Sequence, residues 1–215
     1  MTSTEAKFGL FVPLVSQLDR AEDVAKLLDA GYDLALAEPE TIQWFALKYA
    51  NATPTTYAIF DTFATESGRS AHLSGKIAEA LMAKAPKLLS PAPEIGQVEV
   101  LASKVKSSSD GKTAGLSVGL RVLIEAKPEK TQALKDFLIS ALPLVEEESE
   151  TLVWYAIHFT GTNKFGIVDF FPNEGGRSAH IKGKVAAALF ASADELLMGA
   201  PDIAKVDVQA AKVIA

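Results

Sequence analysis

The chain has 215 residues, 48% apolar and 22% charged, a balance that suits a globular protein with buried cores. Its formal charge of −6 argues against nucleic acid or an anionic membrane surface as a partner. The lack of cysteine excludes a disulfide framework, a thiolate nucleophile and a Cys-ligated zinc site.

From the N-terminus, Phe8 to Val15 alternates, with Phe8, Leu10, Val12 and Leu14 on one face, and predicts a strand. Glu5 precedes this run, Pro13 interrupts it and no basic segment leads it, so no secretory signal is expected. No apolar run approaches the ~20 residues of a membrane-spanning helix, and the expected setting is soluble and cytoplasmic. Asp19 to Ala30 carries Val24, Leu27 and Leu28 at helical spacing, with Gly31 as its expected stop. Strands are expected over Thr41 to Ala50 and Tyr57 to Phe63. Thr65 to Gly68 reads as punctuation before one long helix, Ser70 to Leu89, with its stripe at Leu73, Ile77, Leu81 and Leu88. Pro91 and Pro93 end that helix, and a fourth strand follows from Gln97 to Val105.

The chain then repeats itself. Gly68 to Leu81 returns as Gly176 to Leu189 with ten of fourteen residues identical, including His72 and His180. The two tryptophans, Trp44 and Trp154, lie 154 − 44 = 110 apart and these histidines 180 − 72 = 108 apart, so two residues are missing between Leu47 and Tyr57 in the second copy. Lys104-Val105 and Lys212-Val213 keep the 108 spacing. The second copy predicts a strand from Ser117 to Ala126, a helix from about Glu129 to Leu144, and strands over Thr151 to Thr160 and Phe165 to Phe171. A helix from about Ser178 to Leu197 and a strand from Lys205 to Val213 complete it. The expected divisions are residues 1–106 and 115–215, joined by a polar linker at 107–114.

Each copy has the order β-α-β-β-α-β, the split βαβ arrangement of a ferredoxin-like α+β unit. Both parities of the second strands are apolar: Phe45, Leu47 and Tyr49 against Trp44, Ala46 and Lys48, and Tyr155, Ile157 and Phe159 against Trp154, Ala156 and His158. A sheet apolar on both faces must pack on something, and the tethered sister sheet is the nearest candidate. The expected fold is therefore two tandem ferredoxin-like units packed sheet to sheet as an intrachain dimeric α/β barrel. An association of two such chains into a further homodimer is left open.

The strand pattern, the repeat length and the helix with Ala-His near its start (Ala71-His72, Ala179-His180) resemble the antibiotic biosynthesis monooxygenase family of dimeric α/β-barrel proteins. The resemblance covers Phe8 to Val105 and Val118 to Val213. It implies cofactor-independent oxygenation of a small phenolic or quinol-like aromatic, although one fold hosts many functions. Related haem-degrading proteins use a helix histidine, a tryptophan near the end of the third strand and an asparagine in the first strand. Here those third strands end in Phe63 and Phe171 and the first strands have no asparagine, so haem is not expected. Three histidines in this arrangement make no recognisable metal cluster, and no cofactor is expected.

The candidate catalytic residues are His180, His72, His158, Asp169 and Asp61. Near neutral pH an imidazole can serve as a general base, and a histidine can equally tie a helix start to a strand. Asp61 and Asp169, retained in apolar third strands, must face a ligand or pair with Arg or Lys. The candidate substrate-binding residues are Trp154, Trp44, Tyr155, Arg177 and Arg69. Either arginine could hold a ligand oxygen, but an ion pair with Glu66 or Glu174 is the more economical reading. Tyr155 faces Phe45 at the same position in the other copy, so its hydroxyl is not required in both halves. His158, where the first copy has Lys48, would enrich the second half if it shared a pocket with His180. Gly75 and Gly183 read as small residues permitting close helix–sheet approach. The two functional readings are a monooxygenase, with turnover more sensitive to loss of His180 than of His72 and folding largely indifferent to either, and a non-catalytic ligand-binding or stress-response barrel.

Overall fold

A computed structural model of the protein describes residues 5–106 and 111–214. Residues 107–110 of the expected linker lie outside the described residues. The first repeat runs β1 (Phe8–Val15), α1 (Ala21–Leu36), β2 (Thr41–Tyr49), β3 (Thr56–Phe63), α2 (Glu66–Leu73), α3 (Lys76–Leu88) and β4 (Gly96–Val105). The second runs β5 (Val118–Glu125), a 3-10 turn at Pro128–Lys130, α4 (Thr131–Ser140), α5 (Leu142–Glu146), β6 (Val153–Phe159), β7 (Lys164–Phe171), α6 (Glu174–Ile181), α7 (Lys184–Leu196) and β8 (Asp202–Val213). The strands follow the order β1-β3-β2-β8-β5-β7-β6-β4 and close as a barrel, the α+β class expected from the repeat.

The helical expectations need four corrections. Gly31 does not stop α1; it lies inside the helix, where a Cβ would stand 3.3 Å from Cζ2 of Trp44, so its lack of a side chain makes room for the indole. The long helix expected over Ser70 to Leu89 is two helices that part at Gly75, and its counterpart parts at Gly183. The stretch read as punctuation before them is an N-cap: Thr65 Oγ1 and Asn173 Oδ1 accept from the N–H of Gly68 and Gly176, both at 3.1 Å, and start the helices four residues early. In the second repeat the first helix also breaks, at Ala141, where Pro143 removes a donor from the next turn.

Strand parity sets the two cores. In the first, Leu10, Val12, Leu14, Trp44, Ala46, Tyr57 and Ile59 pack with Val24, Leu27 and Leu28 of α1 and Ile77 and Leu81 of α3. In the second, Val122, Ile124, Trp154, Ala156, Phe165 and Ile167 pack with Leu134, Leu138, Val185 and Leu189. The tryptophan face is thus the helix face in both. Residues of the other parity, Phe45, Leu47, Phe60, Tyr155 and Ile157, are also fully buried, as two apolar faces demand. Among the described residues, no helix is long and apolar enough to cross a membrane.

Two compact units emerge from the contacts. One holds the first repeat to Gln97 together with the end of β8 from Asp207; the other holds Val98 to the end of β4 and Leu116–Val206. In the second unit β4 pairs antiparallel with β6, Val98 opposite Phe159 through Val105 opposite Val153. In the first, the Ile214 N–H donates to the Ile42 carbonyl at 3.0 Å. A chain ending at Lys106 would therefore lose β8 from beside β2 and keep a β4 without β6. Exposed strand edges and apolar faces drive association, so this half is expected to dimerise or aggregate in size-exclusion chromatography with light scattering. A monomeric half that unfolds cooperatively would count against the exchange of terminal strands as a requirement of folding.

Candidate functional site

The breaks at Gly75 and Gly183 lie at the centre of a side-chain cluster that occurs twice. His180, in the last turn of α6, has Nδ1 2.6 Å from Glu148 Oε2 and Nε2 3.3 Å from Asp169 Oδ2. Thr151 Oγ1 donates to the same Glu148 Oε2 at 2.6 Å, and the Leu120 N–H donates to Asp169 Oδ1 at 3.1 Å. In the first repeat His72 Nδ1 is 2.7 Å from Glu38 Oε2, its Nε2 is 3.2 Å from Asp61 Oδ2, and Thr41 donates to Glu38 at 2.8 Å. The glycines make this approach possible: a Cβ on Gly183 would stand 2.8 Å from Glu148 Oε1, and one on Gly75 would stand 3.0 Å from Glu38 Oε1. Their role is room for a carboxylate at a helix break, not helix–sheet packing.

Electrostatics fixes the charge of this line. Burial works against a charged His180, but the Asp169 charge and hydrogen bond, with those of Glu148, outweigh it and push its pKa up to about 10. His72 is raised to about 9 by the same balance with Asp61 and Glu38. Burial raises Asp169 and Asp61, opposed by their histidines. Glu148 also feels burial, but the hydrogen bonds from His180 and Thr151 more than offset it and lower its pKa. Each histidine is thus an imidazolium at neutral pH, with Nδ1 hydrogen-bonded to a glutamate and Nε2 within ion-pair distance of an aspartate. The aspartates, expected to face a ligand or pair with Arg or Lys, pair with histidine instead.

Beside His180 opens a cleft of about 330 Å³ walled in part by Leu144, Glu147, Glu148, Thr151 and Lys184. That is at the small end of ligand sites, which span about 300–1,000 Å³. His180 is nearly buried there, and the Glu148 side chain keeps 20% of its surface exposed.

The other candidates lie apart from this line or serve packing. His158 is at the far end of β6, four residues and about 13 Å along the strand from Trp154, which pairs with Asp169. It stacks on Phe165 at 4.4 Å, and its Nε2 lies 2.8 Å from the Thr162 carbonyl. The pocket shared by His158 and His180 is therefore not formed, because strand geometry separates them. Arg69 pairs with Glu66 at 2.6 Å, and its guanidinium lies 5.3 Å from the Phe8 ring centroid. Arg177 pairs with Glu174 and donates to the Gly119 and Val206 carbonyls, both at 3.2 Å. Trp44 and Trp154 are fully buried in the helix-side cores, with their Nε1 atoms making no hydrogen bond among the described residues. Tyr155 is fully buried on the opposite parity. No cluster of His, Asp or Glu among the described residues is arranged to hold a metal ion.

Sequence reasoning missed Glu38 and Thr41, Glu148 and Thr151. A signal existed: Glu-x-x-Thr recurs at 148 − 38 = 110 and 151 − 41 = 110, the spacing of the tryptophans.

The fold defines the class: a dimeric α/β barrel of tandem ferredoxin-like units. Within that class, the likeness to solved structures is one of fold, at low sequence identity. A candidate monooxygenase from Fusobacterium nucleatum superposes with a TM-score of 0.84 at 14% identity, covering 97% of this chain and 94% of its own. A ferredoxin-fold protein from Listeria monocytogenes, related to antibiotic biosynthesis monooxygenases, gives 0.54 at 12%, covering 95% and 96%. A protein of unknown function from Nitrosomonas europaea is 49% identical over 46% of this chain and 96% of its own, with a TM-score of 0.45. No family model and no curated protein matches the sequence.

Proposed function

We propose that the protein is a cofactor-independent monooxygenase that takes a small phenolic or quinol-like aromatic at the cleft beside His180. The reading rests on one observation: the Glu148–His180–Asp169 line puts an ionised carboxylate at a cleft, with a buried imidazolium behind it. A substrate hydroxyl that donates to Glu148 passes its proton there only transiently, because the lowered pKa of Glu148 makes the carboxylate a weak base, and reaction with dioxygen draws off the phenolate as it forms. The negative charge then moves from the carboxylate to the substrate oxygen, still within the field of the imidazolium, and fixed charges placed this way act strongly in a partly dry site. His180 positions and compensates; Glu148 accepts the proton, a division that differs from a free histidine base. The electron-rich phenolate supplies the electrons for dioxygen: RH2 + O2 gives RO + H2O, with one oxygen atom entering the substrate and the other leaving as water. The fold shared with the Fusobacterium protein supports the class, and a cytoplasmic setting belongs to the same proposal.

Oxygen uptake with a panel of phenols and quinols tests it. Glu148→Gln is expected to lower kcat/KM by roughly 10²-fold, the usual scale for loss of a proton acceptor, while thermal melts show the fold intact. A second reading, a non-catalytic binding barrel, is favoured by the engagement of both imidazole nitrogens with carboxylates. Saturable ligand binding with no oxygen uptake would establish that reading instead.

A further inference from the structure

Two lysines that the site does not use are buried in the terminal strands. Lys104, in β4, is 2% exposed and donates to the carbonyls of Val145 and Glu148 at 2.7 and 2.5 Å. Lys212, in β8, is 8% exposed and donates to the carbonyls of Ala35 and Glu38 at 2.8 and 2.6 Å. In each pair the first carbonyl lies in the last turn of a helix, α5 or α1, and the second belongs to the glutamate of the Glu–His–Asp line. A cation at a helix C-terminus satisfies carbonyls that have no partner in the helix. Burying an ammonium is nonetheless expensive, and an apolar side chain would serve packing alone at less cost. Both repeats keep the lysine, and in both its contact falls on the same residue of the site. Desolvation lowers the pKa of both lysines, consistent with ammonium groups held away from water.

Because the terminal strands are exchanged, the wiring is crossed. Lys104 belongs by sequence to the repeat of His72 but holds the backbone of Glu148, the partner of His180. Lys212 belongs to the repeat of His180 but holds Glu38, the partner of His72. We propose that Lys104 and Lys212 are positioning residues that act in a crossed sense, each fixing the glutamate that clamps the histidine of the other repeat. The inference deepens the proposed reading of this site, yet it concerns geometry and charge and not turnover.

The test is a titration of the histidine ring signals by NMR in the full chain. With three histidines the spectrum is simple, and His158→Gln identifies the third signal. Lys104→Met loosens Glu148 and is expected to lower the apparent pKa of His180 by ~1 pH unit or more, with His72 unmoved, since loss of an anchored anion weakens the charged form. Lys212→Met should do the reverse, lowering His72 and sparing His180. Arginine at either position keeps a donor to both carbonyls and is expected to restore the parent value. A shift in the histidine of the same repeat, an equal shift in both, or no shift would each overturn the proposal. Lys104→Gln and Lys212→Gln, with neutral donors, repeat the test if the methionine variants fail to fold. Unfolding of all four variants would also overturn it, by making the lysines a general requirement of folding. Since the readout is a pKa, this result does not depend on whether the cleft oxidises any substrate.

Discussion

His180→Ala is expected to destabilise the protein by about 3–5 kcal/mol at pH 7, the scale seen when one partner of a buried ion pair is removed. Asp169 is fully buried and its Oδ2 lies 3.3 Å from His180 Nε2, so the truncation strands a carboxylate in the core. The stranded group relieves itself by taking up a proton. From an ordinary pKa near 3.9 that costs about 4 kcal/mol at pH 7, at about 1.4 kcal/mol per unit, which caps the electrostatic loss at a similar figure. Total stabilities of about 5–15 kcal/mol make this a large fraction. The loss should shrink at pH 5, where protonation is cheaper, and the Asp169→Ala, His180→Ala double variant should recover part of it. Urea unfolding at both pH values measures each quantity. A loss below ~1 kcal/mol at pH 7 would show that Asp169 does not depend on the imidazolium. The expectation from sequence, that loss of this histidine spares folding because the helix keeps its apolar stripe, misjudged which contact the residue makes.

That misjudgement marks where the sequence was legible. Alternation and duplication are local patterns, so the βαββαβ order and the apolar character of both sheet faces could be read from one chain. The partner of His180 could not, because Glu148 lies 32 residues upstream, in a loop whose acidic composition reads as solvated surface. Its recurrence with Thr151 distinguished it from Glu147 but not from Glu150, which recurs as Glu40 at the same spacing. Gly75 and Gly183 were legible as required small residues, but the helix break they permit depends on a carboxylate from another element. Lys104 and Lys212 were visible as a retained pair. Their crossed contacts follow from strand exchange, which no periodicity encodes.

The same charged line makes the fold sensitive to alkali. His72 is raised to about 9 by Asp61 and Glu38, and His180 to about 10 by Asp169 and Glu148, against about 6.5 in the unfolded chain. A group raised on folding binds its proton more tightly in the native state, so its stabilisation is complete below pH 6.5 and is lost as pH rises through the folded value. Between pH 7 and 9 the native state holds up to two protons that the unfolded chain has released. Stability should therefore fall by roughly 1.4 kcal/mol per pH unit for each histidine, a few kcal/mol across that window. Lys104 and Lys212 have lowered pKa values and contribute with the opposite sign as they titrate, so the histidine-variant baseline is what separates the imidazoles from them. Urea midpoints at pH 6, 7, 8 and 9 give the slope, and the unfolding of a His72→Gln, His180→Gln variant gives its baseline. A midpoint that stays level from pH 7 to 9 in the parent chain would mean that neither imidazole carries its extra proton in the folded state. The charged Glu–His–Asp line would then have to be abandoned.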